Sequence, residues 1–147
     1  MKKYENLWGM TSRTRHDAYI QFIPSVAEWR CWVFRNRILG IYEKVPMAGE
    51  AHLRTRSPGR NCDYGWGIAT RYSAPAGIEE TALAATKALK LDFGAADLLL
   101  GPNGEVSILE VNTAPGFETL QHGGANNLAR EIISWGRSGY PEAAWRN

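Results

Sequence analysis

The alternation of apolar and polar residues along the chain predicts strands in its first half. The segment DAYIQFIP predicts a short strand that ends at Pro24, because proline has no backbone donor for a sheet. The segment EWRCWVFRNRILGIYEKV is rich in aromatic and β-branched residues, and it predicts a two-stranded hairpin that turns at RNR. Residues 46–67 contain repeated glycines and prolines and predict a long loop.

The second half of the chain predicts two helices with a further hairpin between them. Residues 76–90 form the clearest helical pattern, with one apolar face made of Ile78, Ala82, Ala85 and Leu89. The segment LDFGAADLLLGPNGEVSILEVNTAP alternates as two strands around a turn, and NNLAREIISWGR predicts a final helix that Gly136 or Gly139 can cap. These elements together predict an α+β fold, with a mostly antiparallel sheet and packed helices.

The second hairpin has a strong turn signal at Asn103-Gly104, and this signal predicts its register. If these two residues form the turn, Asp97 lies directly opposite Glu110, and Asn112 lies opposite Ala95. Because side chains alternate across a strand, one face is predicted to carry Ala95, Asp97, Leu99, Ile108, Glu110 and Asn112. A change of register by one residue would break this arrangement.

Two facing carboxylates on neighbouring strands repel each other and destabilise the pair. Neither strand of the hairpin has a lysine or arginine on the same face, so a bound cation is expected between Asp97 and Glu110. Together with the Asn112 amide they form an all-oxygen ligand set, which suits Mg²⁺ or Mn²⁺. The alternative is that both acids are ordinary solvated residues near a sheet edge.

Composition excludes several classes of protein. The chain is 44% hydrophobic and 22% charged, as ordinary globular domains are. No apolar run is long enough to cross a bilayer, and the N-terminus lacks the apolar core of a secretion signal, so no membrane partner is expected. The net charge of +2 is too small to indicate nucleic-acid binding by itself.

Cys31 and Cys62 fit no zinc or redox spacing. They predict reduced thiols in a cytoplasmic protein, with a single disulfide as the alternative.

The segment LDFGAADLLLGPNGEVSILEVNTAPGFE closely resembles the metal-binding hairpin of ATP-grasp enzymes. The signal is an Asp that ends a short apolar strand, then a turn, then the run LEVNTAPG. The resemblance implies that Asp97, Glu110 and Asn112 are magnesium ligands and that the cofactors are ATP and Mg²⁺ (or Mn²⁺). It also implies that the chain is the C-terminal subdomain of such an enzyme.

Other segments extend the resemblance. YIQFIPSVAEWRCWVF resembles the hinge strand beside adenine and the strand that follows it. RNCDYGWG resembles the Arg-Asn segment that precedes the helix in the peptide-ligase-like and phage-encoded members of the family. The implied contacts are Gln21, Phe22 and Ile23 with adenine, Glu28 with ribose, Arg30 with phosphates, and Arg60 and Asn61 with phosphate or substrate. Arg30 and Arg60 would be catalytic by stabilising the transferred charge.

Each of these positions also has a purely structural interpretation. Residues 21–23 could be a core strand, since Phe and Ile belong in cores. Glu28 and Arg30 could be an exposed pair on one strand face, and Arg60 could be a solvated loop residue. Lys44 is expected to be an exposed strand end.

The implied activity is ATP-dependent ligation of a carboxylate to an amine or thiol through an acylphosphate. ATP-grasp enzymes clasp the nucleotide between two subdomains, and residues 1–17 have no counterpart of the first. Residues 1–17 are therefore expected to be a loose lead-in, residues 18–139 the subdomain and residues 140–147 a tail, with an N-terminal half as the missing partner. Two alternatives remain open: a catalytically degenerate nucleotide-binding module, and a basic nucleic-acid-binding domain that uses Arg54, Arg56 and Arg60.

Overall fold

The computed structural model describes residues 23–49, 60, 65–115 and 124–139 of the 147-residue chain. Five strands and two helices follow in the order β1 (Ala27–Phe34), β2 (Arg37–Pro46), β3 (Trp66–Arg71), α1 (Ile78–Ala88), β4 (Phe93–Leu100), β5 (Val106–Asn112) and α2 (Gly124–Arg137). The strands form one sheet in the order β3-β2-β1-β4-β5, and every neighbouring pair is antiparallel. The predicted α+β fold is confirmed.

The first hairpin turns at Arg35 and Asn36, as RNR predicted. Both residues have positive φ, at 47° and 62°, and Phe34 pairs with Arg37. Two positive φ angles define the type I′ turn, whose twist matches that of the strands it joins. Asparagine tolerates this conformation well, whereas an arginine there is uncommon, so the turn residue Arg35 is held in place by the hairpin around it.

Strand β3 is an element that the sequence did not predict. Its residues pair with β2, for example Thr70 with Tyr42 and Ile68 with Lys44. The long loop predicted over residues 46–67 is therefore wrong at its first position and at its last two. Gly67 and Ala69 interrupt the apolar alternation, so the local pattern is too weak to identify an edge strand. The strand predicted over DAYIQFIP lies outside the described residues except for its last two, which are not in a strand.

Helix α1 covers one face of the sheet. Ile78 and Ala82 are buried against Trp29, Cys31 and Leu98. The predicted helix is confirmed, and so are Ile78 and Ala82 on its apolar face, but the predicted place of Leu89 on that face is wrong. Leu89 is 58% exposed because it lies beyond the last helical turn, and Thr86 is buried in its place. The Thr86 hydroxyl donates to the Ala82 carbonyl at 2.8 Å, which satisfies the buried hydroxyl within the helix.

Helix α2 covers part of the opposite face. Leu128 packs with Trp32, Phe34 and Tyr42, and the helix is tied to β2 by an ion pair between Glu131 and Arg37. The helix ends at Arg137, and Gly139 follows with φ at 80°, as expected for a glycine that closes a helix. Further along this face, towards the start of β1, polar residues replace the apolar ones. This is the part of the sheet on which the candidate site lies.

Among the described residues, no helix combines the length and apolarity needed to cross a bilayer.

Candidate functional site

The turn of the β4–β5 hairpin is not the predicted two-residue turn. It is a three-residue loop over residues 102–104, closed by a bond from the Gly101 amide to the Glu105 carbonyl at 2.8 Å. The Gly104 amide donates to the Gly101 carbonyl at 3.1 Å, and Gly104 has φ at 89° whereas Asn103 is not among the residues with positive φ. Proline favours the first central position of a type I turn, so Pro102 selects this loop over a type I′ turn at Asn103-Gly104.

The three-residue loop shifts the pairing near the turn by one residue. Leu98 pairs with Ile108 instead of with Leu109, so the predicted position of Ile108 opposite Leu99 is wrong. An irregularity between Asp97 and Leu98 places an extra residue in β5 and restores the register.

Beyond this bulge the predicted pairs are present. Asp97 lies opposite Glu110, and Ala95 lies opposite Asn112. The structure therefore brings the three residues expected to hold a cation onto neighbouring positions of two strands. It does so by two departures from the predicted register that cancel each other.

Asp97 already has a cationic partner on the neighbouring strand β1. Arg30 lies opposite Asp97 in the β1–β4 pair, and its Nε and Nη2 donate to the two carboxylate oxygens of Asp97, each at 2.6 Å. Neither strand of the hairpin carries a basic residue, as stated from the sequence, but the neighbouring strand β1 supplies one, so the expectation that only a bound cation could compensate Asp97 is wrong. Asp97 is only 3% exposed, and a bidentate ion pair of this kind compensates a buried carboxylate well.

The charges around Arg30 raise the pKa of its guanidinium above the ordinary value. The hydrogen bond to Asp97 raises the pKa of Arg30 most strongly, and the negative charges of Asp97, Glu110 and Glu28 raise it further. Burial acts in the opposite direction and only partly offsets them. Arg30 is therefore a permanent positive charge in the site.

Glu28 and Lys44 form a second ion pair on the same face. Lys44 Nζ donates to Glu28 Oε1, and it lies 4.0 Å from Asp97 Oδ2. The side chain of Lys44 is 17% exposed and Glu28 is 5% exposed, so the expected exposed strand end and the exposed Glu28–Arg30 pair are both wrong. The turn alone would place Glu43 opposite Glu28. The irregularity between Trp32 and Val33 shifts the pairing by one residue and brings Lys44 beside Glu28, so the turn signal was not sufficient to identify Lys44.

Arg60 also lies in this cluster. It is 9% exposed, so the solvated-loop interpretation is wrong. Its Nη1 donates to Ser25 Oγ at 2.9 Å and its Nη2 to the Ser25 carbonyl at 3.0 Å, and the guanidinium lies 5.3 Å from the centre of the Trp66 ring. Its Nη1 is 3.9 Å from Glu28 Oε2. Arg60 thus links the start of β1 to the start of β3.

Several other expected site residues lie outside the described residues: Gln21, Phe22, Asn61, Arg54 and Arg56. Ile23 is described and partly buried. Cys31 is a buried free thiol, and Cys62 lies outside the described residues.

The residues on β4 and β5 fit a hard divalent cation. Asn112 Nδ2 donates to Glu110 Oε1 at 2.8 Å, and this bond leaves the amide oxygen of Asn112 available as a ligand. Glu110 is exposed, and each oxygen of Asp97 keeps a lone pair that the bond to Arg30 does not use. Within the described parts of the chain no three His, Cys, Asp or Glu residues lie close enough to hold a metal ion by themselves, so any cation site here depends on the Asn112 amide.

Named relatives are similar to this chain over a long stretch. It is 29% identical over 109 residues to a probable alpha-L-glutamate ligase of Haemophilus influenzae (strain PittEE), a match that covers 74% of this chain and 34% of the relative. It is 30% identical over 107 residues to a probable alpha-L-glutamate ligase of Pasteurella multocida (strain Pm70), covering 73% of this chain and 31% of the relative. The chain thus spans about a third of the length of these relatives.

Solved structures share the fold. A Chryseobacterium gregarium RiPP-associated ATP-grasp ligase, in complex with ADP and a leader and core peptide, superposes with a TM-score of 0.54 and 18% identity over 83% of this chain and 36% of that one. The D-alanine–D-alanine ligase from Bacillus anthracis complexed with ATP superposes with a TM-score of 0.53 and 22% identity, over 79% of this chain and 38% of that one. Residues 5–135 match the RimK-like ATP-grasp domain, and the chain therefore belongs to that family.

Proposed function

We propose that this chain supplies the metal-binding and phosphate-binding part of an ATP-dependent carboxylate–amine ligase. The observation that carries the proposal is the juxtaposition of Asp97, Glu110 and Asn112 on two paired strands, beside the cations Arg30 and Lys44. Membership of the RimK-like ATP-grasp family and similarity to proteins named as glutamate ligases support it.

The proposed ligands are Asp97, Glu110 and Asn112, which would hold Mg²⁺ together with the phosphates of ATP. When bound, the cation would neutralise phosphate charge and leave coordination positions for phosphate oxygens. Arg30 and Lys44 would add positive charge beside the same phosphates. Such a site acts by positioning and charge neutralisation, so no side chain of this chain has to be a covalent nucleophile.

The remaining assignments extend the same proposal. Glu28 would contact the ribose while it stays bonded to Lys44, and residues 21–23 would contact adenine. Arg60 is held by Ser25 and Trp66, which supports a role in fixing the start of β1 beside the nucleotide. Asn61 would face phosphate or substrate.

The carboxylate is proposed to attack the terminal phosphate of ATP, and the amine or thiol then to displace phosphate from the acylphosphate. Residues 18–139 would form the unit that holds the nucleotide. Because the chain spans about a third of its relatives, turnover is proposed to need the part of an ATP-grasp enzyme that binds the other side of the nucleotide.

Calorimetric titration of the 147-residue chain with ADP, with and without Mg²⁺, tests the proposal. Glu110→Gln is the sharpest variant, because Glu110 is exposed and its substitution leaves the core intact. We expect Mg²⁺-dependent ADP binding that weakens about tenfold or more in Glu110→Gln, the range seen when metal ligation is disturbed. Glu43→Gln is the matched control, because Glu43 is a paired carboxylate opposite Trp29, on the face covered by α1. Equal ADP affinity in wild type and Glu110→Gln would exclude the proposed site.

Turnover separates a ligase from a degenerate binding module. The chain, supplemented with an N-terminal ATP-grasp half from a relative, should release ADP only when a carboxylate substrate is present. Mg²⁺-dependent binding without any such release would favour the degenerate module.

A further inference from the structure

We propose that Arg30 acts as an internal competitor of the divalent cation at Asp97, and that it moves to the nucleotide phosphates when metal and nucleotide bind together. This inference rests on the proposed function, because it describes how the same site is controlled. Arg30 would contact the phosphates directly and would couple metal binding to nucleotide binding.

The geometry of the Arg30–Asp97 pair supports this exchange. Both oxygens of Asp97 accept a bond from Arg30 at 2.6 Å, and Asp97 is almost fully buried. A cation that reached Asp97 alone would meet the guanidinium in contact with the same carboxylate. Removal of the guanidinium alone would leave a buried carboxylate without its strongest partner.

The balance of charges in the site also favours binding of the cation together with the nucleotide. The described residues of this cluster carry three negative and three positive charges, from Glu28, Asp97 and Glu110 and from Arg30, Lys44 and Arg60. A free divalent cation adds two uncompensated positive charges to this partly buried group. A cation that arrives with a polyphosphate brings its own negative charge, so the balance is kept.

Arginine is chemically suited to change partners between Asp97 and a phosphate. Its planar fork forms two parallel hydrogen bonds with a carboxylate or a phosphate equally well. Lys44 Nζ lies 4.0 Å from Asp97 Oδ2 and would stay beside this carboxylate after Arg30 leaves. Binding of nucleotide and metal would then be reciprocally coupled, since each ligand favours the state with Arg30 turned away from Asp97.

The test measures the affinities for Mn²⁺ and for ADP. If Arg30 had only a structural role, its substitution would change both affinities in the same direction. The first affinity is that of Mn²⁺, which is titrated into the full chain and followed by electron paramagnetic resonance, without nucleotide and then at saturating ADP. The second is that of ADP, measured at saturating Mn²⁺. In Arg30→Gln we expect free Mn²⁺ to bind about tenfold more tightly, because a positive charge adjacent to the ligand is removed. The same variant should bind ADP more weakly, because the phosphates lose their bidentate partner.

Arg37→Gln is the matched control. Arg37 is an exposed arginine in an ion pair with Glu131, at the other end of the sheet, and both affinities should stay at the wild-type values. Arg30→Lys keeps the charge but loses the fork, so free Mn²⁺ should bind a few-fold more tightly than in wild type. Circular dichroism establishes that each variant is folded, and Arg30→Lys provides the test if Arg30→Gln does not fold.

Weaker or unchanged binding of free Mn²⁺ in the folded Arg30 variant would overturn the inference, and so would a complete lack of Mn²⁺ binding. Weaker binding would mean that Arg30 only holds Asp97 in place. Failure of the proposed function has a different signature: Glu110→Gln would then bind ADP with Mg²⁺ as wild type does, whatever the Arg30 variants do.

Discussion

Lys44 on β2 donates to the carboxylate of Glu28 on β1, and the two residues are neighbours across the first hairpin. Both are largely buried, and Arg60 approaches the other oxygen of Glu28. The site therefore has two ion pairs side by side, and each joins β1 to one of its neighbours.

Replacement of Lys44 by methionine should lower stability by about 1–3 kcal/mol, because a buried carboxylate loses its hydrogen-bond donor. Urea denaturation measures the change. The variant Glu28→Gln in the same background should recover part of the loss, since the amide of glutamine carries no charge to compensate. Lys87→Met, at an exposed position near the end of α1, should change stability by less than about 0.5 kcal/mol. A loss of equal size in both lysine variants would mean that the ion pair contributes nothing specific.

The core below α1 gives a second prediction. Leu98 is fully buried against α1 and β1, whereas Leu109, the extra residue of the β5 bulge, is half exposed. Leu98→Ala should cost about 2–5 kcal/mol in the free energy of unfolding, from lost burial and the cavity that remains. Leu109→Ala should cost far less. Thermal or urea unfolding of both variants tests the register, because a hairpin without the bulge would bury Leu109 as well as Leu98, and both variants would then be costly.

The turn of the second hairpin gives a third prediction. Gly104 has φ at 89°, and an added Cβ would meet no atom within 4 Å, so only the backbone conformation opposes a side chain there. Gly104→Ala should therefore destabilise the protein by about 1–2 kcal/mol. Asn103→Ala should have a smaller effect, since its main-chain amide, not its side chain, donates to Glu105. Equal losses in the two variants would indicate a type I′ turn with positive φ at both positions.

The sequence was sufficient for local elements and insufficient for contacts between elements that are distant in the chain. The helix over residues 78–88 and both hairpins have local signals, and all three were predicted. The facing of Asp97 and Glu110 was predicted from a wrong turn, and it is present because the β5 bulge compensates for the longer loop. The Arg30–Asp97 pair depends on β1 lying beside β4, a strand order that no local pattern contains.

Cys31 gives the last prediction. It is buried in the core beneath α1, and burial raises the pKa of its thiol to about 12, with smaller contributions from the charges of Glu79 and Asp97. Because the folded-state pKa lies above the ordinary value of 9.0, the neutral thiol stabilises the fold. This stability is complete below pH 9 and is lost as the pH rises towards the folded-state value. The pKa of Tyr42 is also raised by burial, so it adds a loss of the same sign at high pH.

Comparison of wild type with Cys31→Ala separates the effect of the Cys31 thiol on stability at high pH from the effects of Tyr42 and the lysines. Above pH 9 the urea midpoint of wild type should fall more steeply with pH than that of Cys31→Ala. In a Cys62→Ser background, Cys31 should also resist a thiol reagent at pH 8 in the folded protein and react fully in denaturant, because only the exposed thiolate is nucleophilic. Parallel pH profiles in the two proteins, together with fast labelling of the folded chain, would show that Cys31 is accessible and that its burial does not control its ionisation.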